Sequence, residues 1–253
     1  MENLNLNVEA LLSPPDIFQS KKVLCIQPHP DDNEIGMGGV VARLAEQGCE
    51  VHYLTVTDGS QGNKDPKASP EQTARIRHEE TIRAGKCLGV KEFHFLDHKD
   101  GTLGDARSLS VEIARMIRQT RPDAIFAPDP WLPYESHLDH VITGRAAANA
   151  FLMSARNHMP QGEGTKPHGA SAIGYYFTAR PNTVVDISNV FERKFQAIAM
   201  HESQMDAQTL TMYRLYFTMK GKELAKDREF ALGEGLKVLS PLHVHCFVDA
   251  DRI

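Results

Sequence analysis

The sequence predicts an α/β fold with a mostly parallel sheet and helices on both of its faces. Short apolar or β-branched runs alternate with longer segments of helical pattern in the order βαβαβαβ. Polar loops follow several of these runs, where the carboxyl edge of a parallel sheet would lie. The 253 residues, 41% of them hydrophobic, are enough for one large domain. We expect residues 1–253 to form a single domain, with 1–20 as a lead-in segment and 155–253 as a C-terminal extension packed on it.

Four strands and three helices are predicted in the first half of the chain. The strands are residues 23–26, 50–57, 93–96 and 124–127. The helices are residues 36–45, 69–88 and 110–120. The first is expected to end at Gly48 and the second before Gly89. If the first and fourth strands are neighbours, the chain reverses direction between them, and a crevice opens just beyond residues 27 and 127.

The second half is predicted to add helices and strands to this core. In order, they are a helix at 138–154, strands at 174–177 and 183–186, helices at 191–205 and within 206–229, and a strand within 236–247. Residues 155–170, rich in glycine, proline and histidine, are expected to form a surface excursion. His243 and His245 alternate on the late strand, which predicts that they point to the same face.

Composition excludes several classes of protein. The formal net charge of −5 gives no basic footprint, which disfavours nucleic acid as a partner. No apolar run approaches the roughly 20 residues needed to span a bilayer, and residues 1–4 lack the start of a signal peptide. The four cysteines form no CxxC pair and mostly lie in or beside apolar runs, as reduced thiols do. We therefore expect a cytoplasmic protein without a nucleic-acid or membrane partner.

The segment after the first strand concentrates groups that bind metal. His29, Asp31, Asp32 and Glu34 follow an apolar run directly. A helix cap would explain one of the carboxylates but not the histidine and two adjacent aspartates. Like charges placed so close repel each other unless a cation is bound between them. Clustered histidine and aspartate favour Zn²⁺-type coordination, so we predict a metal or catalytic site here.

A second cluster follows the fourth strand. The segment from His137 to His140 carries two histidines and Asp139. An HxxH pair alone is weak evidence, because most such pairs are surface or core histidines. This pair is stronger evidence for a site than most, because it lies beyond the fourth predicted strand, opposite the first cluster. Two distant segments are thus predicted to supply nitrogen and oxygen ligands to one point.

Two other kinds of site compete with a metal centre. Gly36, Gly38 and Gly39 follow the first strand as in a dinucleotide site, but the spacing fails GxGxxG. Asp31 and Asp32 would also oppose a pyrophosphate, so these glycines are expected instead to let the first helix pack close to the sheet. Nucleophilic catalysis is disfavoured because GxSxG is missing. A metal amidase on an unrelated amide and a nucleotide-binding protein without hydrolytic activity remain alternatives.

The sequence resembles the LmbE-like, or PIG-L, de-N-acetylase family. The segment 28–39 matches the family's HPDDxE…GG motif. Further motifs occur in the family's order at 57–59, 77–80, 88–90, 121–123, 137–140 and 201–204. Leu138 stands where the family's HPDH has proline, a change that retains both imidazoles. Within the family, 128–135 and 235–245 are most similar to the diacetylchitobiose deacetylases.

This resemblance implies a Rossmann-like fold and a function. The reaction is zinc-dependent hydrolysis of the N-acetyl group of a small sugar containing N-acetylglucosamine, such as diacetylchitobiose. The expected cofactor is Zn²⁺, with Fe²⁺ or another divalent metal as alternatives. The subgroup resemblance also implies a homo-oligomer, with a hexamer as one expected form.

The resemblance also implies roles for individual residues. His29, Asp32 and His140 correspond to the family's metal ligands. Asp31 corresponds to the general base, His137 stabilises the oxyanion, and Asp139 orients His137. Arg77 and His245 correspond to residues that contact substrate or lie near the site. Apart from the resemblance, the aromatic Trp131, with Tyr134, is expected to bind substrate by offering an apolar wall to a sugar face, or else to pack within its loop. Whether His245 acts in its own or a neighbouring subunit's site stays open.

Overall fold

A computed structural model describes residues 12–63, 65, 67–159 and 165–253. In these residues, helices flank a mixed sheet with the strand order β3-β2-β1-β4-β5-β7-β6. The strands are β1 Lys22–Gln27, β2 Glu50–Thr57, β3 Glu92–His98, β4 Ala124–Pro128, β5 Ala172–Tyr176, β6 Thr183–Asp186 and β7 Gly233–Leu239. The helices are α1 Asp32–Glu46, α2 Pro70–Leu88, α3 Ala106–Thr120, α4 Leu138–Met153, α5 Phe191–Ala199 and α6 Ala207–Leu224.

The predicted α/β architecture is confirmed, and the sheet is parallel from β3 to β5. Only β7 runs antiparallel to its neighbours β5 and β6. Because β1 pairs with both β2 and β4, the chain reverses direction between β1 and β4, as predicted. The carboxyl ends of β1 and β4 therefore open side by side into a crevice.

The sheet is covered on both faces, which explains why β1 is apolar throughout. Val23 and Cys25 face a core that includes residues of α1, α2 and α5. Leu24 and Ile26 face the opposite core, which includes residues of α3 and α4. This alternation is the period of two expected of a strand. It anchors β1 firmly and fixes the position of the turn that follows it.

Several predicted boundaries were wrong. Helix α1 begins at Asp32 and not at residue 36, so its acidic first turn complements the positive end of the helix dipole. Helix α3 begins at Ala106 because Asp105 caps it. Helix α5 ends at Ala199, before the predicted residue 205. Strand β7 ends at Leu239, so His243 and His245 lie beyond it in turns.

The C-terminal part of the chain extends the same sheet. Strands β5, β7 and β6 follow β4 in the strand order, and α5 packs against α1 and α2. The predicted lead-in segment includes residues 1–11, and the predicted surface excursion includes 160–164; both ranges lie outside the described residues. A search of the described helices for one long and apolar enough to cross a bilayer finds none.

Candidate metal centre

The turn between β1 and α1 is held in an unusual backbone conformation. Asp31 has a φ of 115°, a left-handed value that is uncommon for a residue with a side chain. The next residue, Asp32, begins α1, and its Oδ2 accepts the backbone N–H of His29 at 2.9 Å. Strained backbone of this kind concentrates at functional sites. Here the turn directs adjacent carboxylates into different surroundings.

Asp32 lies between two imidazoles. Its Oδ2 is 3.2 Å from His29 Nδ1, and its Oδ1 is 3.3 Å from His140 Nε2 on the first turn of α4. Donor atoms of these three residues lie within 4.8 Å of one another, a group that could hold a metal ion. Two histidines and one carboxylate are a donor set that suits a divalent cation such as Zn²⁺. The structure thus brings His29, Asp32 and His140 together from two distant segments.

The charge around His29 also fits a cation. Its Nε2 lies 3.2 Å from Asp100 Oδ1 and 3.3 Å from Asp139 Oδ2. Burial lowers the pKa of His29, but the contacts with Asp100, Asp139 and Asp32 outweigh it and raise the pKa to about 12. Burial likewise raises the pKa of Asp32, but His140 and His29 hold it well below its usual range. The cluster therefore stabilises positive charge, which a bound divalent ion would supply.

Asp31 has its own partner, the guanidinium of Arg77. Arg77 Nη2 lies 3.3 Å from Asp31 Oδ2 and donates to the carbonyl of Pro30 at 2.6 Å. Its Nη1 donates to the carbonyl of Gly59 at 2.9 Å. Burial raises the pKa of Asp31 to about 6, while Arg77 acts to lower it. Arg77 thus reaches the turn from α2 and joins it to the loop after β2.

His137 and Asp139 lie beside the three candidate ligands. The exposed His137 ring is centred 4.4 Å from that of His29 and 5.1 Å from that of His140. Burial, together with His29 and His140, lowers the pKa of His137. Asp139 Oδ2 accepts the N–H of Gly101 at 2.8 Å and contacts His29. The hydrogen bonds of Asp139 therefore orient His29 directly, whereas the resemblance implies that it orients His137.

Trp131 and His245 have other surroundings. Trp131 is half exposed; its ring packs edge-on against Tyr175 at 5.5 Å and lies 4.7 Å from the Arg145 guanidinium. His245 is exposed and contacts the sulfur of Cys246. These contacts do not include the residues around His29.

Two site residues, Asp100 and Glu135, were missed in the sequence. Asp100 is buried and also accepts the N–H of Gln61 at 3.1 Å. Glu135 Oε2 lies 3.4 Å from His140 Nδ1. Asp100 follows β3 at the same carboxyl edge as the other groups, and this position was the available signal.

The late motif at 201–204 packs against the first turn of α1 and against α2. His201 is fully buried, and its Nε2 lies 3.3 Å from Glu34 Oε2. Burial lowers the pKa of His201, but Glu34 raises it above its usual value. Ser203 donates to Glu80 through both its N–H and its hydroxyl. Glu34 thus belongs to this inner contact and is not one of the candidate ligands.

A groove of about 790 Å³ opens onto Asp32 and His140. Phe177 and three aromatic residues of α6 line this groove. The α6 residues are Tyr213, Tyr216 and Phe217. The groove is large enough to hold a small ligand beside the candidate metal centre.

The fold and the site together define a class of protein. It is a doubly wound α/β protein whose switch point carries a candidate metal centre of two histidines and one aspartate. The chain belongs to the PIG-L family, whose model, described as GlcNAc-PI de-N-acetylase, matches residues 24–151.

Known proteins with similar sequences and structures agree with this assignment. The diacetylchitobiose deacetylase of Thermococcus kodakarensis is 38% identical over 89% of this chain and 85% of its own length. A probable N-acetyl-alpha-D-glucosaminyl L-malate deacetylase 2 of Bacillus cereus is 32% identical over 74% of this chain and 85% of its own. The solved N,N'-diacetylchitobiose deacetylase of Pyrococcus horikoshii superposes with a TM-score of 0.88 and 33% identity over the whole of both chains.

Proposed function

We propose that this chain is a metal-dependent deacetylase. Its substrate is a small sugar containing N-acetylglucosamine, such as diacetylchitobiose, from which it releases acetate. The observation that carries this proposal is the position of Asp31. It adjoins the candidate ligand Asp32, is not one of the three candidate ligands, and is held by Arg77. A carboxylate so placed is available as a general base beside a metal.

The proposed cofactor is Zn²⁺, held by His29, Asp32 and His140. Three protein ligands leave a position open for water or substrate, as in catalytic zinc sites. A bound ion would lower the pKa of a water molecule and polarise the acetyl carbonyl. Asp100 and Asp139 support the choice of His29, because ligating histidines usually donate their second N–H to a carboxylate or carbonyl.

The reaction then follows from the chain's own groups. Asp31 accepts a proton from the water that attacks the acetyl carbonyl carbon. His137 donates a hydrogen bond to the carbonyl oxygen as negative charge develops there. When the C–N bond breaks, Asp31 or His137 transfers a proton to the leaving amine. The products are acetate and the free amino sugar.

Substrate contacts, assembly, location and domain organisation complete the proposal. The resemblance supports substrate binding by Arg77 and His245, and the half-exposed ring of Trp131 supports a contact with a sugar face. The groove beside His140 supports an extended sugar. The resemblance alone supports a homo-oligomer. The sequence pattern of the cysteines, which favours reduced thiols, supports a cytoplasmic location. A single domain is supported by the way β5, β6 and β7 extend the sheet.

Acetate release tests this function. The zinc-loaded protein is incubated with N-acetylglucosamine and with diacetylchitobiose, with Asp31→Asn and the exposed-residue control Glu79→Gln alongside. We expect release by the parent and by Glu79→Gln, and a loss of roughly 10²–10⁴-fold in Asp31→Asn at unchanged metal content. Unchanged turnover in Asp31→Asn would refute the base. Bound zinc without release from either sugar would refute the sugar substrate and favour another amide.

A further inference from the structure

Helix α1 is interrupted close to the candidate metal centre. Met37 has a φ of −148° and a ψ of 28°, which are not helical values. The interruption separates the first turn, which carries Asp32, from the rest of the helix. A kink of this kind disturbs the regular hydrogen bonds around it, and buried backbone groups then need other partners.

Two buried side chains provide such partners, one on each side of Met37. Lys194 of α5 donates from Nζ to the carbonyl of Ile35 at 2.8 Å. Glu234 of β7 accepts the N–H of Val40 through Oε2 at 2.7 Å. The two side chains also pair with each other, with Lys194 Nζ 2.5 Å from Glu234 Oε1. The pair therefore joins the two parts of α1 across the kink.

Gly38 and Gly39 of the HPDDxE…GG motif leave room for these two side chains. A Cβ atom at Gly38 would lie 3.1 Å from Lys194 Cγ. A Cβ atom at Gly39 would lie 3.0 Å from Glu234 Oε2 and 2.5 Å from Ile187 Cγ2. A side chain at either position would therefore press against one of the two charged side chains.

A gain in folding stability does not by itself explain a buried pair of charged side chains. Lys194 is 1% exposed and Glu234 is 6% exposed, so both charges lie largely out of water. The cost of removing two charges from water commonly equals or exceeds their attraction, and apolar replacements are often as stable. A fixed geometry is what a paired lysine and glutamate add, because each also bonds to a defined backbone atom.

That geometry bears on Asp32. The first turn of α1 is fixed on the sheet side by Asn33, whose N–H donates to Gln27 Oε1 at 3.0 Å. Lys194 fixes the same turn at Ile35, three residues after Asp32. Because Asp32 must face His29 and His140 at once, a small rotation of this turn would separate the donor atoms. Lys194 and Glu234 also line the groove that opens onto Asp32 and His140.

We infer that Lys194 and Glu234 are positioning residues that set the affinity of the metal centre by fixing the kink in α1. This inference rests on the proposed function, because it requires His29, Asp32 and His140 to hold a metal. It assigns no contact with substrate to either residue. It also explains why charged residues from α5 and β7 meet the backbone of α1.

The test is metal binding by the full chain without substrate. Zn²⁺ affinity is measured by competition with a chromophoric chelator, and the absorption spectrum of bound Co²⁺ reports the ligand geometry. The variants are Glu234→Gln, which keeps an acceptor for Val40, and Lys194→Met. Arg193→Gln is the matched control: Arg193 pairs with Glu46 at 2.6 Å, joining the same two helices at an exposed place away from the kink.

We expect the Kd for Zn²⁺ to rise about 10–100-fold in Glu234→Gln and in Lys194→Met, the usual cost of losing support behind a ligand. The Co²⁺ spectrum should change with it, and Arg193→Gln should match the parent in both. If Lys194→Met does not fold, Glu234→Gln decides alone. Parent-like affinity and spectrum in Glu234→Gln, whatever its thermal stability, would overturn the inference and leave the proposed function standing. Failure of the parent to bind Zn²⁺ would overturn both.

Discussion

Arg77 Nη2 lies 3.3 Å from Asp31 Oδ2, although 46 residues separate the two in sequence. The same guanidinium bonds to the carbonyls of Pro30 and Gly59. Arg77 therefore ties α2 to the strained turn before α1 and to the loop after β2. Its positive charge also opposes the effect of burial on the pKa of Asp31. One side chain thus holds the proposed base in both position and charge state.

Arg77→Lys should lower kcat on the order of 10²-fold. A lysine keeps the positive charge, but its single ammonium cannot reproduce the planar fork that spans Asp31 and two carbonyls. Displacing the base by about 1 Å is enough for a loss of this size. The measurement is steady-state acetate release. Arg75→Lys, two residues away on the exposed side of α2, is the control and should retain parent activity. A kcat in Arg77→Lys equal to that of Arg75→Lys would contradict this role.

Asp100→Asn should weaken metal binding about 10–100-fold, as expected when a group that orients a ligating histidine is lost. Asp100 is one of three carboxylates around His29, so its loss also removes negative charge that favours a cation. Chelator competition measures the effect. Asp97→Asn, at an exposed residue of β3, serves as the comparison. Equal affinities for the two variants would show that Asp100 does not support His29.

The sequence was sufficient for the sheet around the site because local patterns determine it. The apolar run of β1 and the polar segment after it placed His29 and Asp32 at a carboxyl edge. The reversal between β1 and β4 then placed His140 opposite them. Each step uses neighbouring residues or a general rule of parallel sheets.

The other features of the fold and the site depend on contacts between residues far apart in sequence, which no local pattern encodes. Lys194 meets Ile35 across 159 residues, and Glu234 meets Val40 across 194. The insertion of β7 between β5 and β6 is likewise a matter of pairing and not of strand composition. Asp100 follows a segment that also carries His94, Asp97 and His98, so residue type alone did not single it out, and its place after β3 was the available signal. Tertiary packing decided all of these features.

His140→Ala should lower the zinc content of the protein. It removes one of two imidazoles from a centre of three donor residues, leaving His29 and Asp32 as a pair. Metal analysis after dialysis against equimolar Zn²⁺ measures the change. His158→Ala, at an exposed histidine after α4, controls for loss of a surface imidazole. Full occupancy in His140→Ala would exclude His140 as a ligand.

Gly39→Ala should destabilise the fold by about 1–3 kcal/mol, the usual cost of forcing extra atoms into a packed core. The added methyl would lie 2.5 Å from Ile187 Cγ2 and 2.9 Å from Ile187 Cβ, so α1 or Ile187 must move. This follows from the close packing of α1 on the sheet that the glycine motif predicted. Thermal or urea unfolding of the metal-free protein measures the effect. Gly104→Ala is the control, because a Cβ there would meet nothing within 4 Å. If Gly39→Ala unfolds at the same denaturant concentration as Gly104→Ala, the close approach of α1 and Ile187 is not what constrains this position.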